Sequence, residues 1–429
     1  MRKVLIIGGG LAGLSAAVYL SHNKFNVTLI ESTRRLGGKV YSFYEQAFNS
    51  YLDNGQHILL GCYDETLNFL RLISAFDSLE IPKNFSLNYL FDNQKYSELK
   101  TLNIFHPFNL LLGFISFIEF DIFDKLSILK LLIKLRFIDS DNLSNLTVKE
   151  WLEIEKQSKK SISLFWEVIA VGALNSSTEI ASAKLFCDIL KKIFWTNKDA
   201  YKILLPKKSL QDTFINPAYE FLERNKAKIL LSEKCEKIIF QGNEIKKVIT
   251  NKRVFEDYDF YVFAIPFYSL KSLGFTVQPE INFNYSPILN LYIKLKENSL
   301  TKSHYILVNS LIHWIFNKGD FINITISNAA ELNHKSKEKI ESLIIEELER
   351  FLPGIKQKIL KVIVIKEKQA TFIPTKEVIN NRPSLENKIN NMFLAGDWTN
   401  TKLPSTIEGA IKSGRICANK IIEELYSKL

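Results

Sequence analysis

The chain has 429 residues, of which 46% are hydrophobic and 12% aromatic, including 31 phenylalanines. This is enough apolar material for a large buried core and two or three domains, and it excludes a disordered chain. The net charge of +10 admits an anionic membrane surface, an acidic ligand or nucleic acid, but the lysines are scattered without a base-reading motif, so nucleic acid is set aside.

Residues 4–17 read VLIIGGGLAGLSAA, an apolar run that turns abruptly into three glycines and then into a small-residue helical pattern. That is a strand, a tight turn and a helix. Gly8, Gly10 and Gly13 have the G-x-G-x-x-G spacing: the first allows the turn, the second lets the backbone approach a pyrophosphate, and the third lets helix pack on strand. With Leu11 and Ala12 they would place phosphates on a helix N-terminus, where free amides and the macrodipole favour an anion. A second apolar run over 26–30 ends in Glu31, with Ser32 beside it, at the distance where an acid accepts hydrogen bonds from an adenosine ribose. Residues 34–42, RRLGGKVYS, then set Gly37 and Gly38 between Arg35 and Lys39, a loop suited to pass close to cofactor phosphates.

Residues 52–63, LDNGQHILLGCY, place Asp53, Asn54, Gln56 and His57 around Gly55 at the entry to an apolar run. Unpaired buried polar groups cost about 1–3 kcal/mol each, so some of these face a ligand or solvent. His57 has two readings, a hydrogen-bonded structural histidine and a proton donor. The four cysteines, Cys62, Cys187, Cys235 and Cys417, lie far apart, which fits a reduced cytoplasmic compartment and not structural zinc.

Residues 104–138 are strongly apolar but interrupted by His106, Pro107, Gly113, Glu119 and Asp121, so they read as two or more short helices rather than a span. Over 125–136 the cations Lys125, Lys130, Lys134 and Arg136 alternate with leucines and isoleucines. Such a pattern suits a helix lying in a bilayer surface and equally a buried helical subdomain. Two helical patterns over 166–190 are separated near Asn175. Residues 226–261 read as strands, and 286–364 as a second, mostly antiparallel sheet interrupted by an amphipathic helix over 335–351. Near the end a strand stops at Ala395; Gly396 permits close approach, Asp397 can accept from hydroxyls, and Pro404, Ser405 and Thr406 lead into a helix from Ile407 through Ala410.

The glycine fingerprint, the acid and the basic-x-Gly-Gly-basic loop together resemble the amine oxidase and phytoene desaturase superfamily of FAD flavoproteins. DNGQH, GDWT and the LP-x-T-IEGA pattern are similar to its squalene-associated branch, the hydroxysqualene dehydroxylases. The resemblance implies an α/β protein: a discontinuous Rossmann-like FAD-binding domain of GR2 type (1–75, 205–270, 388–429), a helical, membrane-facing substrate subdomain (76–204) and a mixed, mostly antiparallel-sheet substrate domain (271–387). It implies noncovalent FAD, with Arg35 and Lys39 on the cofactor, the backbone at Cys235 along the adenine, Asn54, Gly55, Gln56 and His57 near the ring, and Gly396, Asp397, Thr406, Ile407 and Ala410 capping it. Lys39 stands where arginine is usual, and Lys402 where glycine is usual.

The implied reaction is reductive removal of the hydroxyl of hydroxysqualene to give squalene, in isoprenoid and hopanoid synthesis. His57 would assist the departing oxygen, with Asp53, Tyr63 and Arg382 as further candidates. The rivals are a carotenoid-type desaturase and a non-enzymatic scaffold of a terpenoid complex. With one dinucleotide fingerprint, the reductant, NAD(P)H or a partner reductase, is expected to bind transiently. A cytoplasmic protein held peripherally on the inner face of an anionic membrane is the accompanying expectation.

Overall fold

The structure is a computed structural model that describes residues 2–102, 104, 108–276, 280–385 and 388–427. His106 and Pro107, two of the expected helix breaks, lie outside the described residues.

A five-stranded parallel sheet is built from Lys3–Ile7, Asn26–Ile30, Lys228–Leu230, Phe260–Phe263 and Met392–Leu394. Lys3–Ile7 lies at its centre, with Val4 opposite both Val27 and Phe260. These strands read as continuous apolar runs because both faces are covered. The first helix, Leu11–His22, is buried almost all round, since it is sandwiched between the sheet and the last helix, Ile407–Ser427. The two helices pack backbone to backbone: a Cβ on Gly414 would lie 2.2 Å from the Ala12 carbonyl oxygen, and the Ser15 hydroxyl donates to the Ile411 carbonyl at 2.8 Å. The two ends of the chain thus build one layer.

A seven-stranded sheet forms the second layer. Its spatial order is Ile359–Phe372, Tyr285–Leu295, Phe321–Ile326, Trp314–Asn317, His304–Leu307, Ser86–Leu90 and Tyr96–Lys100. All its junctions are antiparallel except that between His304–Leu307 and Ser86–Leu90. The last two strands precede residue 271, so this sheet recruits chain that the sequence reading assigned to the helical subdomain; their short alternating pattern carries no sign of a partner more than two hundred residues away. Leu289, Leu291, Ile315, Ile322 and Ile324 pack with the helix Lys337–Phe351, while Trp314 and Phe316 pack with the helical segment.

That helical segment includes Phe108–Ser116, Ile122–Lys134, Val148–Ile154, Glu167–Leu174 and Ala183–Trp195. Asp121 and Asp124 form a capping box at the start of Ile122–Lys134, and Thr147 and Glu150 do the same for Val148–Ile154. Asn175 ends Glu167–Leu174 in the left-handed region, φ +49°. A wide-turn segment over Ile162–Trp166 leaves the Leu164 carbonyl to accept from the Tyr89 hydroxyl at 2.6 Å. Among the described residues no helix is long and apolar enough to cross a membrane.

Candidate functional site

The three fingerprint glycines are required for different reasons. Gly8 has φ +108°, and a Cβ there would lie 2.5 Å from the Ala264 carbonyl oxygen. Gly13 has no room, since its Cβ would sit 1.9 Å from the Gly8 carbonyl oxygen. Gly10 differs: its φ of −72° is ordinary, and a Cβ would meet only the Gly38 Cα, at 3.9 Å. Nothing among the described residues demands a glycine at 10, so the open space before it is a cradle that a methyl group would fill. No side chain caps the first helix, which begins there at Leu11 and Ala12. These features fit a dinucleotide phosphate.

Glu31 braces this loop. Its carboxylate accepts from the amides of Gly9 and Thr33, each at 2.8 Å, and from the Ser32 hydroxyl at 3.1 Å. The Glu233 amide donates to the Glu31 carbonyl at 2.8 Å, which brings the start of the Cys235 strand alongside. Gly37 and Gly38 take φ +106° and +58° and face Gly10. The Asn54 side chain holds their loop, donating to the Lys39 carbonyl at 2.9 Å. Arg35 donates to the Gly38 carbonyl at 3.2 Å and stacks 3.8 Å over the Tyr41 ring.

Lys39 forms an ion pair with Asp397 at 3.3 Å, and the Ser405 hydroxyl also donates to that carboxylate. Burial works to raise the Asp397 pKa, but Lys39 and Ser405 outweigh it and hold the carboxyl below its usual range. The first and last segments of the chain therefore meet at one charged contact. Lys402 adopts φ +59°, a left-handed conformation that explains why glycine would suit this loop. Gly396 sits under Trp398, 2.4 Å from its Nε1 to a Cβ position.

The four residues considered for chemistry have distinct surroundings. His57 retains partial surface, yet burial pushes its imidazole down to about 4 and no other group influences it. It is neutral near pH 7 and, among the described residues, its ring has no hydrogen-bond partner. The turn that carries it is pressed by the second sheet: a Cβ on Gly55 would fall 2.6 Å from the Asn290 amide nitrogen. Gln56 donates to the His57 carbonyl at 3.3 Å. The Tyr63 phenol is raised above its ordinary range by burial, then by Cys62 and Glu408, against a hydrogen bond with Thr406. Its proton stays on oxygen.

Asp53 and Arg382 are occupied in holding structure. Asp53 accepts from the Ser42 hydroxyl at 2.6 Å and the Leu210 amide at 2.9 Å, tying its hairpin to the segment that starts the helix Asn216–Arg224. Burial raises its pKa, and these two donors oppose the rise. Arg382 is buried, and its guanidinium donates to the carbonyls of Asp397, Thr399 and Leu403. Burial lowers it to about 10, against the pull of Asp397, so it remains charged near neutrality. It clasps the 397–403 loop from inside.

Two residues escaped the sequence reading. Asn290, at the middle of the strand Tyr285–Leu295, donates to the Asn54 carbonyl at 3.3 Å and accepts from Thr325 at 2.9 Å. Glu408 accepts from the amide and hydroxyl of Thr66 at 2.8 and 2.7 Å and from the Glu65 amide at 3.1 Å. A lone acid inside the IEGA run was the available signal for the second; a polar residue within an apolar strand was the signal for the first.

Residues 11–422 match the family described as flavin containing amine oxidoreductase. The hydroxysqualene dehydroxylase of Zymomonas mobilis is 28% identical over 98% of this chain and 99% of its own. A 15-cis-phytoene desaturase of an Oncidium hybrid cultivar is 24% identical, over 100% of this chain and 78% of its own. The solved structure of an oxidoreductase from Methanosarcina mazei superposes with a TM-score of 0.74 at 14% identity, covering 98% of this chain and 100% of that one. The last is a likeness of fold.

Proposed function

The chain belongs to the flavin containing amine oxidoreductases, and from that premise we propose that it is an FAD enzyme that converts hydroxysqualene reductively to squalene. One observation carries the choice of an oxygen-bearing substrate: the neutral imidazole of His57, without a hydrogen-bond partner among the described residues and held on the turn between the glycine loop and the second sheet. A desaturase working on a hydrocarbon has no oxygen for such a group to meet. The carotenoid-type desaturase is therefore the weaker reading.

The reaction balances as hydroxysqualene plus reduced flavin giving squalene, water and oxidised flavin. When bound, the reduced flavin supplies the hydride that the allylic carbon gains as its hydroxyl departs with one proton. In this reading His57 hydrogen-bonds the departing oxygen as a neutral N–H donor, and Tyr63, which keeps its phenolic proton, is the second donor. Asp53 and Arg382 act at a distance, one fixing the hairpin before His57 and the other the loop before the last helix. The amides at the start of the first helix and Gly10 hold the pyrophosphate; Glu31 faces the ribose; Arg35, Lys39 and Asp397 hold the middle of the cofactor; Thr406, Ile407 and Ala410 lie at its ring. Apolar packing of Trp314 and Phe316 against the helical segment excludes water, so that a delocalised cation is met by hydride and not by solvent.

The helices Phe108–Ser116 and Ile122–Lys134 rest on an anionic membrane in this reading, on the inner face of the cell membrane. Ile118, Phe123 and Phe137 are 78–79% exposed there, with exposed Lys130, Lys134 and Arg136 close by in sequence. The reductant, NAD(P)H or a partner reductase, binds transiently. Anaerobic incubation of the flavin-reduced protein with hydroxysqualene tests the main reading. Squalene formation with matching flavin reoxidation is expected; flavin reduction by phytoene, with no turnover of hydroxysqualene, would replace it with the desaturase.

A further inference from the structure

Glu408 is the second residue of the last helix and is 2% exposed. A carboxylate in the first turn of a helix ordinarily interacts with that helix's own amides. Glu408 instead turns to the helix Asp64–Leu72, whose N-cap position, Tyr63, provides no side-chain cap. It accepts from both Glu65 and Thr66 amides and from the Thr66 hydroxyl, a set of donors that suits the charged form. Neighbouring charges are arranged around it. Arg415 is paired with Glu65, and the Lys412 ammonium donates to the Thr401 carbonyl at 2.9 Å.

The start of the last helix is otherwise open. Thr406 takes the amides of Gly409 and Ala410, at 3.2 and 3.0 Å, while those of Ile407 and Glu408 meet no acceptor among the described residues. A helix start of this kind attracts an anion with roughly half an elementary charge. Burial raises the Glu408 pKa and the donors from Thr66 and Glu65 oppose that rise; in its ionised form the carboxylate is a full charge of the opposite sign, buried where salt and water screen it poorly. It belongs to the first turn of that helix, yet its hydrogen bonds go to the helix Asp64–Leu72 and not to those amides.

We propose that Glu408 is a positioning residue that lowers the reduction potential of the flavin, its fixed negative charge offsetting the pull of the helix start on the reduced, anionic ring. This rests on the reading that the start of the last helix faces the flavin. Its consequence is chemical: a lower potential makes the reduced flavin a stronger hydride donor toward carbon, the direction a reductive dehydroxylation needs. The same carboxylate joins the ring-capping helix to the helix that follows the His57 turn, so one residue sets both charge and spacing.

The test is the midpoint potential of the flavin-loaded protein, measured by dye equilibration without substrate, for wild type, E408Q, T66V and R415M. E408Q is expected to shift the potential positive and to slow flavin reoxidation by hydroxysqualene at least tenfold. T66V loses one of the three donors to Glu408 while both backbone amides remain, so it should lower the melting temperature and shift the potential less than E408Q does. R415M removes the cation paired with Glu65, outside the set of donors to Glu408, and should shift the potential negative; it provides a second reading of local charge if E408Q does not load flavin. An unchanged potential in E408Q or in R415M, or a positive shift in T66V equal to that of E408Q, would overturn the proposal. Because no substrate enters the potential measurement, failure to form squalene would count against the proposed reaction and leave this result standing.

Discussion

Gly10 and Gly13 are separated by less than one helical turn, yet a methyl group has opposite consequences at the two positions. At Gly13 the new Cβ would collide with the Gly8 carbonyl oxygen at 1.9 Å, so G13A should lower unfolding stability by about 2 kcal/mol or more. At Gly10 the backbone is ordinary and there is room. G10A should therefore fold with an unaltered denaturation midpoint while losing bound flavin, read as the ratio of visible to ultraviolet absorbance. Loss of stability in G10A equal to that in G13A would refute the idea that the space before Gly10 is reserved for a ligand. The glycines, Glu31 and Asp397 were legible because backbone needs and charge leave local marks in sequence. The contacts that define Asp53 and Arg382 were not, because a carboxylate bound to the Leu210 amide and a guanidinium clasping the 397–403 loop look like any other charged residue until the chain returns.

The helices Phe108–Ser116 and Ile122–Lys134 show the corresponding limit at the scale of elements. Their apolar content alone suits burial or a bilayer surface. In the structure, Ile128, Leu131 and Leu132 face the core while Ile118, Ile122, Phe123, Leu126 and Ile133 face outward, so apolar residues occupy both sides. A fully buried large side chain contributes about 1.5–3 kcal/mol of transfer free energy. The double variant F123S/I118S should then weaken sedimentation with phosphatidylserine vesicles by at least tenfold, with melting temperature little changed because neither side chain is in the core. K130E/K134E should also weaken binding, and added salt should mimic its effect. Equal, salt-independent sedimentation of both variants and wild type would remove the docking surface.

On the scale of the whole molecule, Asn175 joins the helical segment to the second sheet. Its side-chain amide donates to the Ser286 carbonyl at 3.2 Å and the Thr371 hydroxyl at 3.0 Å, and its oxygen accepts from the Asn328 amide at 2.6 Å. Its φ of +49° also suits asparagine better than alanine. N175A is expected to reduce unfolding free energy by about 2–4 kcal/mol, measured in urea, by orphaning the Ser286 carbonyl, the Thr371 hydroxyl and the Asn328 amide on three strands or loops. A loss below about 1 kcal/mol would show that packing, and not this side chain, joins the layers. The sequence by itself determined the strand, turn and helix at residues 4–17, the break between helices near Asn175, the alternating strands and the helix from Ile407, because backbone geometry and side-chain period act over a few residues. Only the tertiary structure decided that strands at 86–100 complete a sheet begun near 285, that Lys39 meets Asp397, and that Glu408 caps a helix more than three hundred residues earlier. Those pairings depend on how distant segments share one buried volume, and no local pattern records the partner.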